Sequence, residues 1–147
     1  FVDGTSMVPN FQDGDYLIID ELTFHFRQPQ RGEVIVFKFP QNESSYFIKR
    51  VIGLPGDTVE VKNGVVSVTN AENPKGIQLS EDYLISKTPG DVKTILQDGE
   101  YFVLGDNRTM SYDSRSWGVL PSKDIVGLVR LRLWPINSAQ AIVAPQY

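Results

Sequence analysis

The residues of this chain best suited to do chemistry are Ser6, in Gly4-Thr5-Ser6-Met7-Val8-Pro9, and Lys49, in Tyr46-Phe47-Ile48-Lys49-Arg50-Val51-Ile52-Gly53. A serine hydroxyl attacks a carbonyl only when a base takes its proton. Lys49 is the available base. The second segment reads as a strand, so Phe47, Lys49 and Val51 share one face and Ile48, Arg50 and Ile52 the other. Neither face is polar; desolvation disfavours the ammonium, lowers its pKa and makes a lysine a general base. The plainer readings are a lysine snorkelling from a sheet edge and a serine in a turn. A third segment shifts the balance. Gly105-Asp-Asn-Arg-Thr-Met-Ser111-Tyr-Asp113-Ser-Arg115 packs charges and hydroxyls into one loop, and Asp113 and Arg115 are spaced to pair bidentately and stiffen it. A serine–lysine dyad is a variant of the catalytic-triad logic.

Composition narrows the alternatives. The chain has no cysteine, hence no thiol nucleophile, disulfide frame or thiolate metal site, and its one histidine, His25, excludes a multi-histidine zinc site. No metal or cofactor is expected. A net charge of −4 without a cluster of Lys or Arg argues against a nucleic-acid surface. With 147 residues, 41% hydrophobic, the chain predicts one domain with a real core. No stretch approaches the ~20 apolar residues that span a bilayer. The chain starts at Phe1 without an initiator methionine and reads as trimmed, so an upstream signal or anchor would not be seen.

The elements that must position these residues read as short strands. They are a strand end over residues 1–4, then Tyr16–Asp20, Glu33–Phe39 and Tyr46–Gly53, with a polar connector at 41–45. Thr58–Lys62 and Val65–Thr69 are joined by Asn63-Gly64, a hairpin signal, and Pro55-Gly56 fits a type II turn. Residues 70–98 read as a looser excursion or small lobe. Glu100–Leu104 and Ile125–Trp134 are the last strands, and 136–147 is a tail with a short helix from Ser138. Many short strands, glycine turns and no long helical period make an all-β fold.

The three blocks, Ser6-Met7-x-Pro9, Lys49-Arg50-Val-Ile-Gly53-Leu-Pro55-Gly56-Asp57 and Gly105-Asp-Asn-Arg108 through Ser111-x-Asp113-Ser-Arg115, together resemble the catalytic domain of the type I signal peptidases. Trp117-Gly118, Val126-Gly127 and Trp134-Pro135 fit as well. The resemblance implies several coiled antiparallel sheets, shared with self-cleaving repressors, and an endopeptidase that removes signal peptides from exported proteins. It implies Ser6 as nucleophile, Lys49 as general base, and Ser111 orienting Lys49 by hydrogen bond. Asp113 and Arg115 would hold the loop, and Arg50 would pair with Asp106.

The same resemblance places the oxyanion hole at the Ser6 amide. Gly4 stands where some relatives carry a side-chain donor, and Asn10 replaces the threonine usual after the proline. Substrates would be signal peptides cut after Ala-x-Ala, with Val2, Met7, Phe11, Val36, Phe47 and Ile48 as walls of shallow apolar pockets. The family also implies an N-terminal transmembrane anchor, absent from this chain, and catalysis on the outer face of the cytoplasmic membrane. An apolar rim would touch lipid, with Trp134-Pro135-Ile136 and Phe24/Phe26 as candidates.

Two rivals are a self-cleaving repressor, which would carry a DNA-binding segment, and an inactive relative that only binds extended peptides. The chain has no basic helix, and Ser6, Lys49 and Ser111 are all present. The tail carries its own small-x-small triplet, Ala139-Gln140-Ala141, and is a candidate to enter a neighbour's cleft and be cut after Ala141.

Overall fold

The computed structural model describes residues 2–132 and 140–147. Within them the chain forms eleven strands, β1 Leu17–Asp20, β2 Val34–Phe39, β3 Asn42–Gly53, β4 Thr58–Lys62, β5 Val65–Thr69, β6 Ile77–Gln78, β7 Val92–Ile95, β8 Glu100–Leu104, β9 Leu120–Pro121, β10 Ile125–Arg132 and β11 Gln140–Ala141. One helical turn, α1 Ser114–Trp117, and two short 3-10 turns complete the described elements. The expected all-β class stands.

The larger sheet runs β1-β10-β2-β3-β8-β9, with β11 also paired to β10; the smaller runs β6-β5-β4-β7. The connector expected at 41–45 is mostly strand, because β3 begins at Asn42, pairs there with Phe39 and runs twelve residues. Its first three residues are exposed, so polar side chains cost nothing there, and the apolar pattern marks only the part that enters the core. Across Asn63-Gly64 both residues take positive φ, 53° and 83°, as the tight β4–β5 hairpin requires.

Three apolar clusters fill the body. Ile52, Val59, Val61, Val66, Val68, Leu79, Leu96, Phe102 and Leu104 join the two sheets, so residues 70–98 contribute Leu79 and Leu96 to a shared core as well as strands β6 and β7. Ile35, Phe37, Val51, Tyr101, Val103 and Leu120 form the second cluster, and Val2, Met7, Phe11, Val34 and Val129 the third. The alternation expected around Lys49 is present: Phe47 and Val51 go to the second cluster, Ile48 packs on the third and Ile52 belongs to the first.

Trp134, Pro135, Ile136, Ser138 and Ala139 lie outside the described residues, and the helix expected from Ser138 does not continue into the described ones: Gln140–Ala141 is β11 and 142–147 carries no helix. Ala141 pairs with Leu131, the Ile142 amide donates to the Arg130 carbonyl at 2.8 Å, and Ile142 packs on the third cluster. For the bond after Ala141 to reach a cleft, this segment would first have to leave β10.

Candidate active site

Lys49 Nζ donates to Ser6 Oγ at 2.9 Å, across 43 positions of sequence. Both sit in a cleft of about 510 Å³ lined by Val2, Asp3, Met7, Ser45–Ile48 and Tyr112. Lys49 is 5% exposed, and its amine lies 5.1 Å from the centre of the Phe47 ring. Burial pulls its pKa down to about 8, while the Asp113 and then the Asp106 carboxylates oppose the shift. A second hydrogen bond, to the Ile48 carbonyl at 3.0 Å, aims the amine. At this distance a neutral amine is placed to accept the proton of the Ser6 hydroxyl.

Local geometry explains how two distant segments hold this register. Ser6 lies in the loop before β1, and its carbonyl accepts from the Asn107 amide at 2.7 Å while the Asn107 side chain donates to the Thr5 carbonyl. Met7 Sδ accepts from the Asp106 amide. Gly105 is where this loop passes closest: a Cβ there would stand 2.6 Å from the Ser6 carbonyl oxygen and collide with the Ser111 side chain. No other residue type fits that passage.

The anticipated ion pairs form. Arg50 binds Asp106 through Nε and a terminal nitrogen, at 2.9 and 2.7 Å. Arg115 grips Asp113 in the same forked manner at 2.9 and 2.8 Å. Asp113 also accepts from the Gly105 amide and caps α1 by accepting from the Arg115 amide. The hydrogen bond expected from Ser111 to Lys49 is not formed in this structure; the Ser111 hydroxyl oxygen is buried without a hydrogen-bond partner. Gly4, at φ 98°, gives its amide to Asp13 at 2.8 Å, and the space beside its Cα is open. Among the described residues no acceptor takes the Ser6 amide.

Of the expected pocket walls, Val2, Met7, Phe47 and Ile48 line the cleft. Phe11 and Val36 do not. Phe11, 1% exposed, is enclosed in the third cluster, and Val36 packs against that cluster from β2, beside its cross-strand partner Ile48.

Other contacts of the site have no local signal in the sequence. Asn10 donates to Asp106 at 2.9 Å and to the Tyr83 carbonyl at 3.0 Å. The Tyr83 ring lies under the Arg50 guanidinium at 4.3 Å, and its hydroxyl meets Glu81 and Tyr147. Glu81 in turn holds the buried Arg108 at 3.0 and 2.6 Å. These partners lie 25 to 96 positions apart where they cross between segments, too far for any local pattern to announce them.

Residues 1–134 match the family described as "Signal peptidase, peptidase S26". The chain is 38% identical over 145 residues to "Probable signal peptidase I-1" of Synechocystis, covering 93% of this chain and 71% of that protein. It is 33% identical to "Probable thylakoidal processing peptidase 2, chloroplastic" of Arabidopsis thaliana, covering 97% of this chain but 39% of that protein. A crystal structure of a signal peptidase I from Enterococcus faecalis V583 superposes with a TM-score of 0.59 at 32% identity, over 69% of this chain and 97% of that one.

Proposed function

The chain belongs to the signal peptidase family, peptidase S26, and from that premise we propose that Ser6 and Lys49 are the nucleophile and general base with which it cleaves signal peptides from exported proteins. The observation that carries the assignment is the 2.9 Å contact between Nζ and Oγ, with the amine in a largely apolar setting that favours its neutral form.

Neutral Lys49 accepts the Ser6 proton as Oγ bonds to the scissile carbonyl carbon. The ammonium then returns that proton to the departing amine, leaving an ester on Ser6. Water, deprotonated by the same lysine, attacks the ester and releases the acid and the free serine. The Ser6 amide is the oxyanion donor in this scheme. Ser111 is assigned as a positioning residue for Lys49, supported by its hydroxyl being buried without a hydrogen-bond partner beside Gly105.

The peptide docks along β3, whose partner β8 pairs only with Arg50 to Gly53 and leaves the stretch before Lys49 open on that side. Small side chains at the first and third positions before the cut fit against Val2, Met7 and Ile48. We place the site at the outer face of the cytoplasmic membrane, as the family resemblance implies; a relative named for the thylakoid supports the membrane setting alone. Phe26 and Leu22, 87% and 71% exposed, would form the rim that meets lipid, whereas Phe24 packs inward on the second cluster.

The test is cleavage of a preprotein with an Ala-x-Ala site by wild type, Ser6→Ala and Lys49→Ala. Wild type cuts and both variants lose activity by at least about a thousandfold; equal turnover in the three removes the dyad.

A further inference from the structure

The two walls of the cleft belong to different cores. Val2, Met7 and Ile48 are part of, or pack on, the third cluster, whereas Phe47 packs on the second. On the Phe47 side the wall continues outward. Phe47 stacks on Phe39, with centroids 4.7 Å apart and rings 10° from parallel, and Phe39 meets Tyr112 edge to face at 5.8 Å. Trp117 already packs against Phe39 from another direction at 5.6 Å. Tyr112 is therefore an addition to a finished cluster, 52% exposed, and it lines the same cleft as Ser6 and Lys49. A half-exposed ring on an aromatic surface beside a nucleophile is available to touch substrate.

This step rests on the peptidase reading above. An extended peptide points successive side chains to opposite sides. If the first and third residues before the cut face Val2, Met7 and Ile48, the second faces the side of β3 that carries Phe47 and Lys49. We propose that Tyr112, with Phe39 and Phe47, is the specificity-determining surface for the middle residue of the Ala-x-Ala triplet, and that it favours an apolar or aromatic side chain there. The surface is a stacked pair of rings with Tyr112 set edge-on and half exposed at its outer end, so it rewards area without imposing a tight size limit.

The experiment measures kcat/KM on peptides that differ only at the middle position, carrying Gly, Leu, Phe or Asp, for wild type, Tyr112→Ala and Tyr112→Phe. Wild type and Tyr112→Phe are expected to prefer Phe and Leu over Gly by about three- to tenfold, the size of one aromatic contact. In Tyr112→Ala the spread falls below about twofold, while the preference for Ala over a bulky residue at the first position stays. Tyr112→Gln, which keeps length without the ring, gives the same loss and covers the case in which the alanine variant folds poorly. A flat profile in wild type, or an unchanged spread in Tyr112→Ala and Tyr112→Gln, overturns the inference. Cleavage by Ser6→Ala, or acceptance of bulky first-position residues by wild type, would instead overturn the reading beneath it.

Discussion

Arg50 holds Asp106 in a forked pair that is almost wholly removed from water, the guanidinium 5% and the carboxylate 0% exposed. Arg50 directly follows Lys49 on β3, and Asp106 also receives the Asn10 side chain, four residues beyond Ser6. One carboxylate thus fastens the nucleophile's segment to the base's strand. A buried pair of this kind is weak evidence for stability, since desolvation offsets its attraction, but it is rigid in geometry.

Asn10→Ala is expected to lower kcat about tenfold or more, because small misplacements of reacting groups are costly, with KM little changed. Stability should fall by about 1–2 kcal/mol for the lost hydrogen bonds. Asn10→Asp, isosteric but unable to donate, sets a carboxylate against Asp106 and should be worse on both counts. Steady-state kinetics and thermal melts decide; a kcat in Asn10→Ala equal to wild type would remove the latch.

The pH profile follows from Lys49. Its protonated form cannot take the Ser6 proton, so activity requires the neutral amine. With the pKa at about 8, kcat/KM should rise about tenfold per pH unit below that value and level off above it. Loss of Asp113's opposing charge in Asp113→Asn should move the rise to lower pH. A profile already flat by pH 6 would show that a different group titrates.

Removing the Lys49 amine should trade activity for stability. A free lysine has a pKa of about 10.4, and the folded value is lower, so the folded state binds fewer protons between the two and stability rises with pH across that window. Below it the ammonium is buried at a cost. Lys49→Met, similar in shape and uncharged, should therefore abolish cleavage yet stabilise the protein by about 1–3 kcal/mol near neutral pH. Denaturant titration at pH 7 and pH 10 checks both sign and window; a gain that does not shrink toward pH 10 would contradict it.

Gly105→Ala should destabilise by about 1–3 kcal/mol, the usual range for overpacking, and reduce kcat far more than KM, since the added methyl pushes on both the Ser6 carbonyl and Ser111. The clash is with backbone and a short side chain, neither of which can swing away. Wild-type kinetics in this variant would mean the loop has slack there.

Much of this site was legible because its chemistry contradicts its surroundings. A lysine inside an apolar strand stands out, and the register Ile35 opposite Lys49 and Val34 opposite Arg50 delivers the expected alternation. Asp113 and Arg115, two apart, also announce their pairing locally. Phe11 lies inside the third cluster and Val36 beside Ile48 on β2; an apolar residue has the same composition whether it faces the cleft or the core next to it. Asn10, Tyr83, Glu81 and Asn107 could not be assigned roles, since a polar residue in a loop looks the same whether its partner is water or a carboxylate ninety residues away. Tyr112 carries no signal for the related reason that an exposed ring has no periodicity.

The sharing of one core by both sheets bears on any attempt to miniaturise this enzyme. Cutting out residues 70–98 would remove β6 and β7 together with Leu79 and Leu96, leaving β4 and β5 as a two-stranded ribbon with both edges unpaired and Val59, Val61, Val66 and Val68 covered only by Ile52, Phe102 and Leu104. Such a ribbon is marginal in water and recruits other chains. The shortened protein would precipitate during expression before its catalysis could be assayed, so the apparent ornament has to travel with any transplanted catalytic unit.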